Sequence, residues 1–237
     1  MLDNKVPETD LQSSASVRAY TAGDRAAVRF ICAETADSGR PLERLFLDSE
    51  TIADMVTRYY TDYEPECLWV ADFEGEVVGY LSGAMDTHRM QRVTRLRVYP
   101  RAAAAAISRG SLLRIQGWRL LWCALRTAPG LHTAMQRVQP VVYPAHMHIN
   151  ILPAFRGRNI GSCLLRSFLA KLREGGVCGL HAAVREDNRP ACAFFQRAGF
   201  HVVENYAIHL PRPERIDVTQ VAIYARHTCS SDRCYST

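Results

Sequence analysis

The stretch from His146 to Ala225 constrains the fold most, because strand-like and helix-like segments alternate there with sharp punctuation between them. His146 to Leu152 reads as a strand, and Pro153 ends it. Ile160, Leu164, Phe168 and Leu172 recur at every fourth position, which predicts a helix from Ile160 to Glu174 stopped by Gly175-Gly176. Leu180 to Val184 reads as a second strand. Pro190 to Ala198 reads as a second helix, with Pro190 in its first turn and Gly199 just past its end. Phe200 to Leu210 and Val218 to Ala225 close the series as strands. Alternating elements of this kind predict an α/β fold.

Upstream, Ser16 to Tyr20 reads as a short strand, Asp24 to Ala36 as a helix and Ser49 to Tyr60 as another. Cys67 to Asp72 and Val77 to Met85 flank Phe73-Glu74-Gly75-Glu76, a strand, turn and strand in hairpin order. Residues 86–140 differ, with an alanine run followed by an amphipathic pattern. Leu112, Ile115, Trp118, Trp122 and Leu125 share one helical face, and the first reading is a helical insertion packed on the domain. A partner or homodimer surface is the second reading, and an interfacial membrane helix the third. Arg109, Arg114, Arg119 and Arg126 interrupt the run too often for a membrane span. Residues 1–14 and 227–237 read as disordered, leaving 15–226 as a single domain that includes the insertion.

Composition adds limits. A net charge of +5 on 237 residues suits anionic ligands such as phosphates but is too weak to argue for nucleic acid. The eight cysteines include no C-x-x-C pair, and the polar N-terminus shows no apolar signal region. A reducing cytoplasm is the expected compartment, with a Cys229–Cys234 disulfide as a minor alternative in the tail.

The chemistry concentrates after the strand ending at Leu152. Arg156-Gly157-Arg158-Asn159-Ile160-Gly161-Ser162 leads directly into a helix. Unpaired N–H groups and the helix dipole make such a junction favourable for an anion. Gly157 and Gly161 permit close backbone approach, and Arg156 and Arg158 add positive charge. A plain strand-to-helix connection is the alternative reading.

This loop resembles the pyrophosphate-binding motif of the GNAT superfamily of N-acetyltransferases, written R/Q-x-x-G-x-G/A. Arg156 fills the first position, Asn159 replaces the central glycine and Gly161 fills the last. A second family pattern, N-x-x-A-x-x-F-Y-x-x-x-G-F, is matched downstream by Asn188, Ala191, Phe194, Phe195, Gly199 and Phe200. The resemblance covers roughly residues 16–85 and 141–226. It implies a mixed, mostly antiparallel sheet with helices on both faces, here carrying a helical insertion. Acetyl-CoA is then the co-substrate and no metal is expected. The pantetheine arm would pair with main chain at Ile149, Asn150 and Ile151, and the pyrophosphate with N–H groups from Gly157 to Ser162. Asn188 would reach the pantetheine side, although its place before Pro190 also suits a helix cap. Phe195 stands where many relatives carry a tyrosine that can protonate the leaving thiolate. The phrase from Tyr143 to Pro153 also resembles the acetyltransferase-like domain attached to O-GlcNAcases.

The resemblance implies attack by a small-molecule or peptide amine on the thioester, which requires a neutral amine. The usual carboxylate is absent, and His148 or His146 is the candidate base, because histidine titrates near neutrality. A strand histidine bonded to a neighbouring carbonyl is the structural alternative, and a metal site from two ligands is disfavoured. Glu34, Asp37, Tyr59, Tyr60, Tyr206 and His209 are candidates for the acceptor groove. Asn159 and Phe195 leave a competing reading, a catalytically weak or inactive relative serving as a binding module.

Overall fold

The computed structural model describes residues 15–41, 49–110, 115–139, 141–212 and 214–228. Its strands are β1 (Ser16–Ala19), β2 (Leu68–Phe73), β3 (Glu76–Ala84), β4 (Ala145–Ile151), β5 (Gly179–Arg185), β6 (His201–Pro211) and β7 (Ile216–His227). They form one sheet in the order β1-β2-β3-β4-β5-β7-β6. Only β4 and β5 run parallel; the other neighbours are antiparallel. The sheet is therefore mixed and mostly antiparallel, as expected.

The helices are α1 (Arg25–Thr35), α2 (Ser49–Asp62), α3 (Thr87–Val93), α4 (Tyr99–Ser108), α5 (Ile115–Arg137), α6 (Ile160–Glu174) and α7 (Arg189–Arg197). A π turn, Thr94–Val98, joins α3 to α4. Strand alternation sends successive side chains to opposite faces. On one face Leu68, Val70 and Tyr80 pack against Val28, Ile31 and Tyr60 of α1 and α2. On the other, Ala71, Leu81 and Met147 meet Leu164, Phe168 and Leu172 of α6 and Phe195 of α7. The helices thus cover both faces. Farther along the first face, Ala134 and Val138 of α5 sit on Ile223 and Ala225 of β7. The two helical groups, α1/α2 and α5, leave a seam between them over β4 and β5.

That seam lies above a break in the sheet. β4 and β5 pair only at Ala145↔Leu180 and His146↔His181. Beyond this, β4 stays with β3 as far as Ile151, and β5 stays with β7 as far as Arg185. The two strands diverge toward their C-terminal ends, and the inner edge of β4 from Met147 onward faces a cleft.

Two sequence readings need refinement here. The insertion packs on the domain through Ala134 and Val138 of α5, but the predicted apolar stripe is not the packed face: Trp118, Leu121 and Leu125 are exposed, and Trp122, also exposed, touches the domain at His209. Periodicity identifies an apolar face but not the surface it meets. Leu112 lies outside the described residues. The tail also begins later than expected. β7 runs through His227, and Thr228 is buried, its N–H donating to Cys178 O (2.9 Å). Residues 229–237, with Cys229 and Cys234, and residues 1–14 lie outside the described part. Cys32, Cys67, Cys123, Cys163, Cys178 and Cys192 are free thiols.

Candidate active site

The diverging strands bring three histidines and a tyrosine to one place. His146 and His148 project from β4 toward the seam, with ring centroids 4.6 Å apart. His181 of β5, the register partner of His146, places its ring 5.1 Å from the His146 ring. From α2, the Tyr60 hydroxyl lies 3.2 Å from His146 Nδ1 and 3.3 Å from Met90 Sδ, and its ring meets His148 edge-on at 6.0 Å. Asn150, next on the same strand face, donates from Nδ2 to the Tyr80 hydroxyl (2.7 Å).

Burial sets the protonation of this group. It pushes the His148 pKa down to about 4, with His181 adding to the effect, and pushes His146 well below the ordinary histidine range, helped by His148 and His181. His181 is also lowered by burial, although its bond to Tyr143 works in the opposite direction. All three are neutral at pH 7. His181 Nδ1 lies 2.9 Å from the Tyr143 carbonyl, an acceptor, so Nδ1 carries the proton and Nε2 the lone pair. That Nε2 is buried without a hydrogen-bond partner. Burial also raises the Tyr60 hydroxyl, which stays protonated and can donate to His146. Among the described residues no group of three or more His, Cys, Asp or Glu side chains could hold a metal ion.

Below the histidines, the cleft is lined by main chain. Leu152 N–H donates to Val78 O (3.0 Å), which fixes the alternation along β4. His148 and Asn150 turn their main-chain groups to β3, and Ile149 and Ile151 turn theirs to the cleft. At the end of β4 the chain makes a 3-10 turn (Pro153–Phe155) and enters α6 through Gly157 (φ 79°) and Asn159 (φ 61°), both left-handed. Asparagine tolerates that conformation better than most residues, so the missing central glycine does not prevent the turn. No atom lies within 4 Å of where a Gly157 Cβ would stand. The first bond of α6 runs from Cys163 N–H to Asn159 O (3.2 Å), so the N–H groups of Ile160, Gly161 and Ser162 precede the helical ladder. Asn159 supplies no side-chain cap.

Several predicted ligands have other attachments. Arg156 does not face the helix terminus freely: Nε donates to Ile151 O (3.0 Å) and a terminal nitrogen to Gly39 O (3.0 Å). Arg158 lies over the rings of Phe73 and Phe155, at 5.7 and 5.4 Å. A Cβ on Gly161 would stand 3.2 Å from the Phe194 ring, so this glycine admits α7 as well as any ligand. Asn188 caps α7, its Oδ1 accepting from Ala191 N–H (3.3 Å). Phe195 is buried among Phe194, Phe200 and Tyr224, stacked on the last at 5.7 Å.

A strap crosses the far end of the cleft. Asp37, fully buried, takes Arg185 of β5 (2.6 Å) and Arg212 beyond β6 (2.9 Å). Ser38 Oγ donates to Asp187 (2.8 Å), and Gly39 O accepts from Arg156 after β4. Residues 37–39 therefore tie together the ends of both diverging strands. Asp37 is a structural hub rather than a free groove carboxylate. Its two arginines hold its carboxyl below the usual range, against the opposing effect of burial. Tyr59 is likewise engaged, donating to buried Glu64 (2.5 Å). Tyr60 is the groove candidate that reaches the histidines. Tyr206 packs beneath α5, the His209 ring lies edge-on to Trp122 at 5.8 Å, and Glu34 is half-buried on α1.

His181 and the strap were not read from the sequence. A buried histidine in register with His146 becomes visible only once the β4–β5 pairing is known. The strap needs contacts across more than 100 residues.

Residues 135–200 match the family model described as Acetyltransferase (GNAT) family. Solved structures resemble most of the chain. One titled "Crystal structure of SsHAT" is 29% identical, with a TM-score of 0.67, covering 92% of this chain and 100% of its own. A putative phosphinothricin N-acetyltransferase is 19% identical, with a TM-score of 0.55 and coverages of 92% and 100%. The yncA putative acetyltransferase from Salmonella typhimurium, solved with its cofactor acetyl-CoA, is 13% identical, with a TM-score of 0.54 and coverages of 94% and 99%.

Proposed function

We propose that this chain, of which residues 135–200 match the GNAT acetyltransferase family model, transfers an acetyl group from acetyl-CoA to a primary amine by direct attack. The observation that carries this reading is the divergence of β4 from β5, which opens the Ile149 main-chain groups and the Ile151 N–H beside the unpaired N–H groups of Ile160, Gly161 and Ser162. An extended amide-bearing arm ending in a pyrophosphate needs this combination, a strand edge followed by a helix N-terminus. The residues present fit acetyl-CoA there, and the open space at Gly157 leaves the backbone approachable. Acetyl-CoA supplies an activated thioester.

The chain's own residues then orient the reaction. Ile149 N–H can polarise a carbonyl at the cleft edge. His148, half-buried on the cleft wall and neutral, can accept a hydrogen bond or proton from the amine, and Tyr60 and His146 hold the neighbouring ring in place. With a pKa near 4, His148 passes a proton onward to water and does not store it. Phe195 offers no acid to the leaving thiolate, so departure is unassisted from that position. The acceptor approaches through the seam between α1/α2 and α5, as a small molecule or a peptide amine.

A second reading, a binding module with little or no turnover, is favoured by Arg156 and Phe195, whose side chains are committed to other contacts. Calorimetry with acetyl-CoA, followed by thiol release across a panel of amines, separates the two. Binding with release supports the enzyme, and binding without release for any amine supports the module. Absence of acetyl-CoA binding would sink the enzyme reading and leave a cofactor-free module.

A further inference from the structure

Among the described residues the buried side-chain polar atoms without a hydrogen-bond partner are Arg58 Nε, His181 Nε2 and His209 Nδ1, and of these His181 belongs to the histidine cluster. The sheet fixes its place. His181 is the register partner of His146 on β4 and of Ala225 on β7, so it stands at the last β4–β5 pair, where the cleft opens. Residues in register share a face of the sheet. His146 meets Tyr60 of α2 on that face, and Ala225 lies under α5. His181 is therefore at the floor of the seam between the two helical groups, and it is 1% exposed. Its Nδ1–H donates to the Tyr143 carbonyl, which leaves the Nε2 lone pair over.

An unmade hydrogen bond in a protein interior is costly, so this lone pair calls for a donor. The ring is closed to solvent, and the donor has to come from a side chain. His146 carries one. While its Nδ1 accepts from the Tyr60 hydroxyl, the proton of that neutral ring is on Nε2. The His146 and His181 centroids are 5.1 Å apart, and two imidazoles joined by an N–H···N bond stand roughly 5 Å apart. The separation already suits the bond, and only the orientation of the ring does not. A half-turn of the His146 ring about its outer torsion, which is soft in histidine, exchanges Nε2 with Cε1 and Nδ1 with Cδ2. The Tyr60 hydroxyl then has a second acceptor at hand, Met90 Sδ at 3.3 Å.

We propose that His181 is a positioning residue of the reaction: its Nε2 takes the His146 N–H after this half-turn and thereby frees His146 Nδ1 to accept the N–H of His148. The His146 and His148 rings are 4.6 Å apart. Donors then run in one direction, from His148 to His146 to His181 to the Tyr143 carbonyl, and each bond sets the tautomer of the ring before it. At the open end is the other nitrogen of His148, a lone pair held toward the amine. As the amine nitrogen bonds to the thioester carbon and the thiolate leaves, one N–H proton passes to this lone pair and on to water. His181 itself keeps its charge and its partners. The inference rests on the acetyl-transfer reading of the cleft, but its first test does not.

That test is nitrogen NMR of the full chain labelled with ¹⁵N-histidine, free and with acetyl-CoA. His181 Nε2 should resonate as a nitrogen that accepts a hydrogen bond and show coupling to a His146 ring nitrogen. Both signals should vanish in His181→Asn, which keeps an N–H where Nδ1 stands and places nothing at Nε2. A bare lone pair at His181 Nε2 in both states overturns the proposal, as does an Nε2 bonded to a trapped water. The second test is turnover with an amine that the chain accepts. His181→Asn should lower kcat roughly 10–100-fold, the usual effect of losing the group that orients a functional histidine, and leave acetyl-CoA affinity unchanged. His181→Gln, whose side-chain oxygen reaches the Nε2 position, should recover part of the loss. Melting curves check that both variants fold. Unchanged kcat in His181→Asn, or a loss that follows melting temperature with Gln no better than Asn, makes His181 a structural strand histidine and overturns the proposal. The coupling present with no amine accepted would sink acetyl transfer and leave the histidine chain standing.

Discussion

At the residue scale, the account turns on neutral histidines. Since His148 titrates near 4, its protonation cannot shape the rate above about pH 5. The pH profile of turnover should then rise with the ionisation of the acceptor amine, without an inflection near the ordinary histidine pKa of about 6.5. His148→Gln should lower turnover by roughly 10²–10⁴-fold while leaving acetyl-CoA affinity intact. Unchanged turnover would make His148 structural. The same shifts couple to stability. The unfolded chain takes up protons on these histidines as pH falls below about 6.5, and folded His148 does not until about 4. Stability present above that window is lost within it on acidification, so the melting temperature should fall between these values, and less steeply in His148→Gln. Phe195→Tyr tests the missing acid. Its ring is enclosed by Phe194, Phe200 and Tyr224, so a hydroxyl there should cost about 1–3 kcal/mol in urea unfolding. Turnover should not rise; a rise would show that thiolate departure limits the rate. The chemistry at Phe195 was legible in its motif, and its enclosure was not, because a motif names positions and not neighbours.

At the scale of elements, the helix N-terminus and the strap carry separate tasks. Ser162→Asp places a carboxylate beside the N–H groups of α6, where it favours the helix dipole and opposes a pyrophosphate. The melting temperature of the free protein should hold or rise, and its increase with acetyl-CoA should vanish. Retention of that increase would place the anion elsewhere. Asp37→Ala removes the carboxylate that Arg185 and Arg212 share while leaving them Asp187 and Asp217, so the loss of these charged hydrogen bonds should cost about 1–3 kcal/mol. Because the strap joins both arms of the cleft, acetyl-CoA affinity should fall with stability. A loss of stability alone would show that the strap supports the fold without shaping the site. The bounds of α6 were legible to the residue, since Gly175-Gly176 and the four-residue apolar spacing mark both ends of its pattern. The α5 stripe was legible as a helix face but not as an exposed one, because local spacing is blind to what a helix is laid against.

At the scale of the molecule, the succession of strands and helices in residues 146–225 was legible in the sequence, and the mixed sheet with helices on both faces in the family resemblance, but the strand order was not. The site arises where that order is interrupted. Two pairs hold β4 to β5, the strands then diverge, and helices from distant parts of the chain frame the gap. His181 enters the cluster only through this register, and Arg156 meets Gly39 only through the strap, so neither placement could be read locally. The account therefore rests on the cleft being the acetyl-CoA site, and amide hydrogen exchange with and without acetyl-CoA tests this most directly. The account predicts slowed exchange at Ile149 and Ile151 on β4 and at Ile160, Gly161 and Ser162 at the start of α6. Unchanged exchange at these amides under saturating acetyl-CoA, or protection confined to other elements, would contradict it.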